Sequence, residues 1–241
     1  MCELKRRDLL LGASAMLLYG CGDAEKYNQG KDYYPVATSS GLILHWGQNN
    51  SITIDSASSG SPSSSLVNIF ETGLNQWSST LSQIGVTLNF SSTNPDVKVH
   101  WYSASEMETE TGSSSVLGYA STNKNIYMRK DLDGSYGSGT TQSTAVHEFG
   151  HMLGIWSHSF DSKDIMYPYA TSITELSGRD KKTVTDFLYA MSPTYDLHDL
   201  SGPLIHPETG IEIPHIQTFY TTSGCIAVSY THLTLPTIAI V

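Results

Sequence analysis

The stretch that decides the fold is HEFGHMLGIWSH, residues 147–158. On a helix, His147 and His151 lie one turn apart on the same face, so both imidazoles can reach a single metal ion. Glu148 projects beside them without being needed as a ligand, and its carboxylate is therefore placed to take a proton from metal-bound water. Zinc accepts neutral imidazole nitrogens and keeps a fourth position open for water when three protein side chains bind it. The pattern predicts a catalytic zinc site on this helix, with Glu148 as the general base.

A third ligand has to come from the chain that follows the helix. Gly154 can adopt the left-handed conformation that ends a helix and turns the chain back toward the ion. His158 is the candidate third ligand, and Glu175 is the alternative. A helix that merely carries surface histidines is the alternative to any metal site.

Hydrophobic periodicity around the motif predicts an α+β domain. Apolar residues spaced three and four apart indicate an amphipathic helix over 66–81, and the motif itself lies on a helix predicted from about 141 to 154. A final helix begins after Ser177, where Asp180 completes a capping box. Strand-like runs are predicted at 42–46, 52–54, 86–90, 97–101, 117–120 and 126–129. Loops are predicted at 56–65 and 103–115, and a Gly-rich turn at 131–139. This order indicates helices packed on one mixed sheet.

The motif and the segment after it resemble the metzincin zinc endopeptidases, and among them the matrixins. Their pattern is H-E-x-x-H-x-x-G-x-x-H followed by a Met-containing turn, and DIMYP at 164–168 is similar to that turn. The resemblance implies that Met166 forms an apolar floor beneath the zinc ligands. It also implies a metzincin (zincin-like) catalytic domain over 41–192, with a twisted mixed five-stranded sheet, an active-site helix, the Met-turn and a C-terminal helix.

One position departs from the family pattern. Ser157 stands where the third histidine is expected, and His158 follows it. Serine is a poor zinc ligand, whereas His158 keeps the family distance to Met166. We therefore interpret the departure as a one-residue insertion around Trp156 that retains His158 as the third ligand.

The resemblance also implies how a substrate binds. Leu117, Gly118 and Tyr119 resemble the edge strand that pairs with an extended substrate. Pro168 and Tyr169 resemble the wall of the primary specificity pocket, which implies a preference for an apolar residue after the scissile bond. The predicted function is that of a zinc-dependent metalloendopeptidase. It would hydrolyse peptide bonds in extended protein substrates with a zinc-bound water that the glutamate of the motif activates.

Two further interpretations stay open. The competing function is an inert surface-binding lipoprotein that keeps the metzincin fold, and the displaced third histidine motivates it. Asp131 and Asp133, in the DLDG turn, are a candidate calcium site. Gln142 stands near the position where a full EF-hand would need a glutamate, so a hydrogen-bonded turn is favoured over a calcium site.

The two ends of the chain have the composition of appendages. Residues 1–20 carry a basic cluster before a short apolar run, as a bacterial export signal does, and Cys21 follows a lipobox-like stretch that predicts a lipid anchor. We expect a tether over 21–40, a Pro-rich extension over 193–227 and a non-native tail over 228–241. The protein is thus expected to be exported in a bacterium, and either lipid-anchored at the cell envelope or secreted.

Composition limits the partners of the protein. The 241 residues carry 13 Lys and Arg against 23 Asp and Glu, a net charge of −10, so no basic surface can follow a nucleic-acid backbone. Three cysteines are too few for a disulfide framework. We expect protein or peptide substrates, no nucleic acid, membrane contact through the N-terminal anchor alone, and a monomer.

Overall fold

The computed structural model describes residues 37–38, 45–156, 158–159, 161–190, 204–205, 212–213 and 216–221. All of them belong to Gly30–Ser223, one of the two units into which internal contacts divide the chain. The predicted signal, Cys21 and the predicted tail lie outside the described residues. The described strands are β1 (Ala37–Thr38), β2 (Ser51–Ser59), β3 (Thr87–Phe90), β4 (Val97–Tyr102), β5 (Val116–Ser121), β6 (Asn125–Arg129), β7 (Leu204–Ile205), β8 (Glu212–Ile213) and β9 (Ile216–Tyr220).

A six-stranded mixed sheet with the order β3-β2-β4-β6-β5-β9 is the scaffold of the domain. β2 pairs in parallel with β3 and β4, and β4 pairs in parallel with β6, whereas β5 is antiparallel to both β6 and β9. The predicted α+β fold with a mixed sheet is confirmed. The sixth strand, β9, comes from the segment predicted to be a Pro-rich extension. Strands β1, β7 and β8 form a separate antiparallel sheet.

The described helices pack with the large sheet over two apolar clusters, a main core and a smaller one formed by Met107, Val116 and Tyr119. They are α1 (Ser64–Ser82), α2 (Ala104–Thr111), α3 (Leu132–Tyr136), α4 (Thr140–Met152) and α5 (Gly178–Lys182), which continues into a π-helical segment, Thr183–Leu188. The predicted apolar stripe of α1 is buried at Phe70, Leu74, Trp77 and Leu81. α1 packs against α4, where the indole N–H of Trp77 donates to the Val146 carbonyl at 3.1 Å. None of the described helices is long and apolar enough to cross a bilayer.

The prediction of a loop at 103–115 is wrong, because this segment contains α2. Ser103 caps the helix: its hydroxyl accepts a hydrogen bond from the Glu106 N–H at 3.2 Å, and the Glu106 carboxylate accepts one from the Ser103 N–H at 2.6 Å. Met107 anchors the helix, since its side chain is fully buried. The S-x-x-E spacing of a capping box is present in the sequence and predicts this helix start.

Strand β2 extends beyond its predicted end, so the first part of the loop predicted at 56–65 is also wrong. The alternating burial of Ile52, Ile54 and Ser56 continues the strand period into the serine-rich stretch. The Ser56 carbonyl accepts a hydrogen bond from the Trp101 indole at 2.8 Å, which ties the extended part of β2 to β4. Of the run predicted at 42–46, residues 45–46 are described, and neither lies in a named strand.

Candidate metal centre and active site

Helix α4 holds the HEFGH motif and is buried along its length. Its first turn is positioned by Asp133, whose carboxylate accepts a hydrogen bond from the Thr141 N–H at 2.8 Å. At the other end Gly154 has a φ of 109°, in the region that favours glycine, and the chain reverses there as predicted. The reversal closes with a hydrogen bond of 3.1 Å from the Ile155 N–H to the Gly150 carbonyl.

Three histidines meet at one point above α4. The Nε2 atoms of His147 and His151 are 3.2 Å apart, and one ring nitrogen from each of His147, His151 and His158 lies within 4.8 Å of the others. The His158 ring stacks on His147 with a centroid distance of 5.2 Å and meets His151 edge-on at 4.9 Å. The loop after Gly154 thus brings His158 to the two helical histidines. Ser157 lies outside the described residues.

The protons on two of these rings are placed by backbone carbonyls. The Nδ1–H of His147 donates to the Ile165 carbonyl at 2.7 Å, and that of His151 donates to the Ile155 carbonyl at 2.6 Å. In neutral rings the two Nε2 atoms then carry lone pairs, and lone pairs 3.2 Å apart repel unless something positive lies between them. The Nε2 atom of His158 is buried and has no hydrogen-bond partner among the described parts of the chain.

The electrostatics of the cluster fit a zinc ion. Burial lowers the pKa of His147 and of His158 well below the usual value, and lowers the pKa of His151 to about 4. All three rings are therefore neutral at neutral pH, which is the form that binds metal. The carbonyls of Ile155 and Ile165 supply the outer hydrogen bonds that hold metal-ligating histidines in orientation.

Glu148 is a buried carboxyl group without a described partner. Both of its carboxyl oxygens are buried and accept no hydrogen bond from the residues that the structure describes. Burial raises the pKa of Glu148 well above its usual value, because the carboxylate is removed from water. The side chain lies under β5, where a Cβ added to Gly118 would be 3.2 Å from Glu148 Oε1. A carboxyl group with no described partner, next in sequence to a ring of the histidine cluster, fits proton transfer better than it fits a structural role.

Met166 packs directly against the motif helix. It is fully buried, and a Cβ added to Gly150 would overlap its sulfur and lie 3.1 Å from its Cε. The preceding carbonyl, of Ile165, is the one that orients His147. The predicted position of Met166 beside the ligand helix therefore agrees with the geometry.

Asp180 links the segment around Ile165 and Met166 to α5, a role that the sequence pattern alone did not reveal. One oxygen of its buried carboxylate accepts hydrogen bonds from the Ile165 N–H at 3.0 Å and from the Ser177 N–H at 2.7 Å. The capping box predicted at Ser177 is present. Its aspartate thus also holds the segment that orients His147, and only the packing of α5 shows this.

The residues predicted to bind substrate line one groove. β5, with Leu117, Gly118 and Tyr119, forms one wall, and 168–170, with Pro168 and Tyr169, forms the other. Strand β9 lies between the two walls. It pairs antiparallel with β5, with Gly118 opposite Phe219, and it makes a parallel bridge between Tyr220 and Tyr169.

Phe219 is the residue of this region that the sequence analysis missed. Its ring stacks on His147 with a centroid distance of 4.3 Å and an interplanar angle of 30°, and its side chain is 2 % exposed. The signal for a strand was available, since IQTFY at 216–220 alternates β-prone residues. Nothing local in that run indicates which strand it joins.

The alternative ligands lie elsewhere. Glu175 is exposed and is not part of the histidine cluster. Asp131 forms a two-point ion pair with Arg129 at 2.7 and 2.9 Å, and Asp133 accepts the hydrogen bond from Thr141. The three histidines are the one group with metal-ligand spacing among the described residues. Calcium at Asp131 and Asp133 stays a prediction, whereas the Gly-rich turn predicted at 131–139 is wrong in its first part, which contains the short helix α3.

Comparison with known proteins agrees with the site geometry. The family model described as matrixin matches residues 45–190. A search of curated protein sequences gave no match to this chain. The matrixin match supports a zinc metallopeptidase-type function and implies a catalytic zinc, in agreement with the histidine cluster. Because the matched segment covers more than half of the chain, the chain belongs to the matrixin family.

Proposed function

We propose that the protein is a zinc-dependent endopeptidase that hydrolyses peptide bonds in extended protein substrates. The observation that carries the proposal is the convergence of three neutral imidazoles, two buried and one half-buried, together with a buried carboxyl group that has no described partner. The Nε2 atoms of His147, His151 and His158 would hold the ion. Bound zinc would supply a Lewis acid that polarises the scissile carbonyl and the attacking water.

Glu148 would move the proton. Its two oxygens make no hydrogen bond to any described residue, so both can face a water molecule and the leaving amine in turn. A cation nearby favours the ionised form of a carboxyl group, and this opposes the effect of burial on its pKa. The residue would accept a proton from the attacking water as general base and donate it to the amine that departs.

The groove between β5 and 168–170 would orient the substrate. An extended peptide pairs by backbone hydrogen bonds with an exposed sheet edge, and β5, which pairs antiparallel with β9 in the structure, would offer such an edge to a substrate that takes the place of β9. The space beside His147 accommodates the aromatic ring of Phe219, which supports a preference for a large apolar residue in the substrate.

A paired measurement of metal content and cleavage tests this function. Glu148→Gln should keep one zinc per chain and reduce cleavage of casein by at least about a hundredfold, which is the usual contribution of a general base. Glu175→Gln, which changes an exposed carboxylate away from the cluster, is the matched control and should retain activity. Casein cleavage that survives in Glu148→Gln would show that another group is the base.

The competing function is an inert binding protein with the same fold, and the displaced third histidine is the observation that favours it. Zinc stoichiometry separates the two proposals. Purified protein that carries no tightly bound zinc, and whose residual cleavage is insensitive to a chelator, would favour the binding protein.

We further propose that the protein is exported as a monomer and anchored at the bacterial cell envelope through lipidated Cys21. The basic and apolar pattern of residues 1–20 supports this proposal. Cys21→Ser should move the protein from the membrane fraction of expressing cells to a soluble fraction. A wild-type protein that takes up no labelled fatty acid would contradict the anchor.

A further inference from the structure

Strand β9 occupies the groove in which the proposed function places a substrate. We propose that residues 216–221 are an autoinhibitory segment that binds in this groove as an extended substrate would. The inference rests on the proposed function, because it is that active site which the segment would block.

The backbone of the segment is bound to both walls of the groove. The Tyr220 N–H donates to the Pro168 carbonyl at 3.0 Å, and the Tyr220 carbonyl accepts from the Ala170 N–H at 2.7 Å. On the other side, the Thr221 N–H donates to the Ser115 carbonyl at 2.9 Å, and the segment pairs with β5. A second strand cannot use the same donors and acceptors, so a substrate has to displace β9 first.

The Phe219 side chain fills the space beside the histidine cluster. Its ring lies on His147, and it is almost fully removed from solvent. It is also paired with Gly118, the β5 residue beneath which the Glu148 carboxyl group lies. The segment therefore covers a metal ligand and stands in register with the proposed base.

The segment is an addition to the catalytic domain rather than part of its basic structure. The matrixin match ends at residue 190, and the sheet order β3-β2-β4-β6-β5 is complete without β9. β9 is an edge strand that pairs only with β5 in the large sheet. Its neighbours Thr218 and Tyr220 are half-buried, in contrast to Phe219. Release of this edge leaves the other five strands paired.

Hydrogen exchange tests occupancy of the groove without relying on activity. In the full-length Glu148→Gln protein, where cleavage of the segment is suppressed, the Ala170 amide should be protected, because it donates to Tyr220. Adding Phe219→Asp should raise its exchange rate at least about tenfold, since aspartate loses the ring packing of Phe219 on His147 and is costly to bury. Thr218→Asp adds the same charge on the opposite face of the strand and should keep the protection.

Turnover tests whether occupancy inhibits. In zinc-loaded full-length protein, Phe219→Asp should raise kcat/KM for a casein-derived peptide at least about tenfold, because the competent state is populated only when the segment leaves. Thr218→Asp should retain the wild-type kcat/KM. A synthetic peptide with the sequence of residues 214–222 should inhibit the Phe219→Asp protein, whereas the same peptide with aspartate in place of Phe219 should not.

Tyr220→Pro is a second variant that should release β9 from the groove, and it is used if Phe219→Asp does not fold. It removes the N–H that donates to Pro168 and leaves Phe219 in place. Unchanged exchange at Ala170 together with unchanged kcat/KM, in a variant that folds and binds zinc, would overturn the proposal. Faster exchange with no cleavage by any variant would instead contradict the proposed peptidase function, while occupancy of the groove would stand.

Discussion

Gly150 is the position at which a single methyl group should disturb the metal site most directly. It lies in α4 between His147 and His151, and an alanine Cβ there would overlap the sulfur of Met166 and lie 3.1 Å from its Cε and 3.4 Å from Trp77 Cζ2. Met166 and Trp77 are fully buried, so neither can move into solvent. We expect Gly150→Ala to destabilise the protein even though alanine favours helices.

The gain in helix propensity and the cost of overpacking differ in size. Replacement of glycine by alanine inside a helix stabilises by about 1 kcal/mol. Overpacking of a filled core costs about 1–3 kcal/mol, and contact with buried neighbours on two sides places this case at the upper end. The net loss should be about 1–2 kcal/mol, which lowers Tm by about 2–8 °C for a domain of this size. Zinc affinity should fall as well, because displacement of Met166 moves the Ile165 carbonyl that orients His147.

Urea unfolding and competition with a zinc chelator measure the two effects. Gly134→Ala is the matched control, since Gly134 lies in α3, and an added Cβ would have nothing within 4 Å. That control should be neutral or stabilising by up to about 1 kcal/mol. In a Met166→Ala background, Gly150→Ala should cost less than it does alone. A Gly150→Ala protein as stable as wild type, with unchanged zinc affinity, would refute the packing argument.

Three further predictions concern the surroundings of the cluster. Gly118→Ala should lower both stability and kcat, the latter about tenfold, because the new Cβ would lie 2.8 Å from Thr144 Cγ2, 3.0 Å from the Tyr127 carbonyl oxygen and 3.2 Å from Glu148 Oε1. An unchanged kcat in a folded, zinc-loaded variant would mean that the carboxyl group adjusts freely. Asp180→Ala should reduce the free energy of unfolding by about 3 kcal/mol and weaken zinc binding, because the Ile165 N–H loses its acceptor. Thermal unfolding measures the stability and chelator competition measures the zinc affinity. A loss of stability without a loss of zinc affinity would contradict the link to the metal site. The metal-free Glu148→Gln protein should lose stability as pH falls from about 6.5, the ordinary histidine pKa, to about 4, the folded pKa of His151. In this range the histidines of the unfolded chain bind protons whereas the ligand histidines of the folded protein stay neutral, so a lower pH favours unfolding. Each ligand histidine contributes a slope of about 1.4 kcal/mol per pH unit in that window, and urea titrations with a flat pH profile there would contradict the lowered pKa values.

The local parts of the fold were predictable because their causes lie within a few residues of each other. The one-turn spacing of His147 and His151 places both rings on one helix face wherever the helix lies. The stripe from Phe70 to Leu81 and the cap at Ser177 are likewise local patterns, and the structure contains both. The polarity of 103–115 indicates a loop, but the capping box of Ser103 and Glu106 starts a helix there, so the local capping pattern outweighs polarity in this segment.

Non-local features were not predictable from the same patterns. The contact of Met166 with Gly150 depends on two segments that approach only after the chain has turned at Gly154. The link between Asp180 and Ile165 requires α5 to lie beside the turn that holds Met166. The local sequence around such residues does not identify their contact partners, because backbone hydrogen bonds and apolar packing can form with many different segments.

The sequence by itself determined the chemistry of the centre: two imidazoles on one helix face, a carboxyl group beside them, and an apolar turn downstream. The tertiary structure alone decided that His158 rather than Glu175 completes the histidine cluster, and that β9 lies in the groove with Phe219 on His147. The physical reason is that side-chain type and helical spacing are local properties of the chain. Which strand fills the edge of β5 instead depends on the free energy of bringing together segments about 100 residues apart, which only the folded protein resolves.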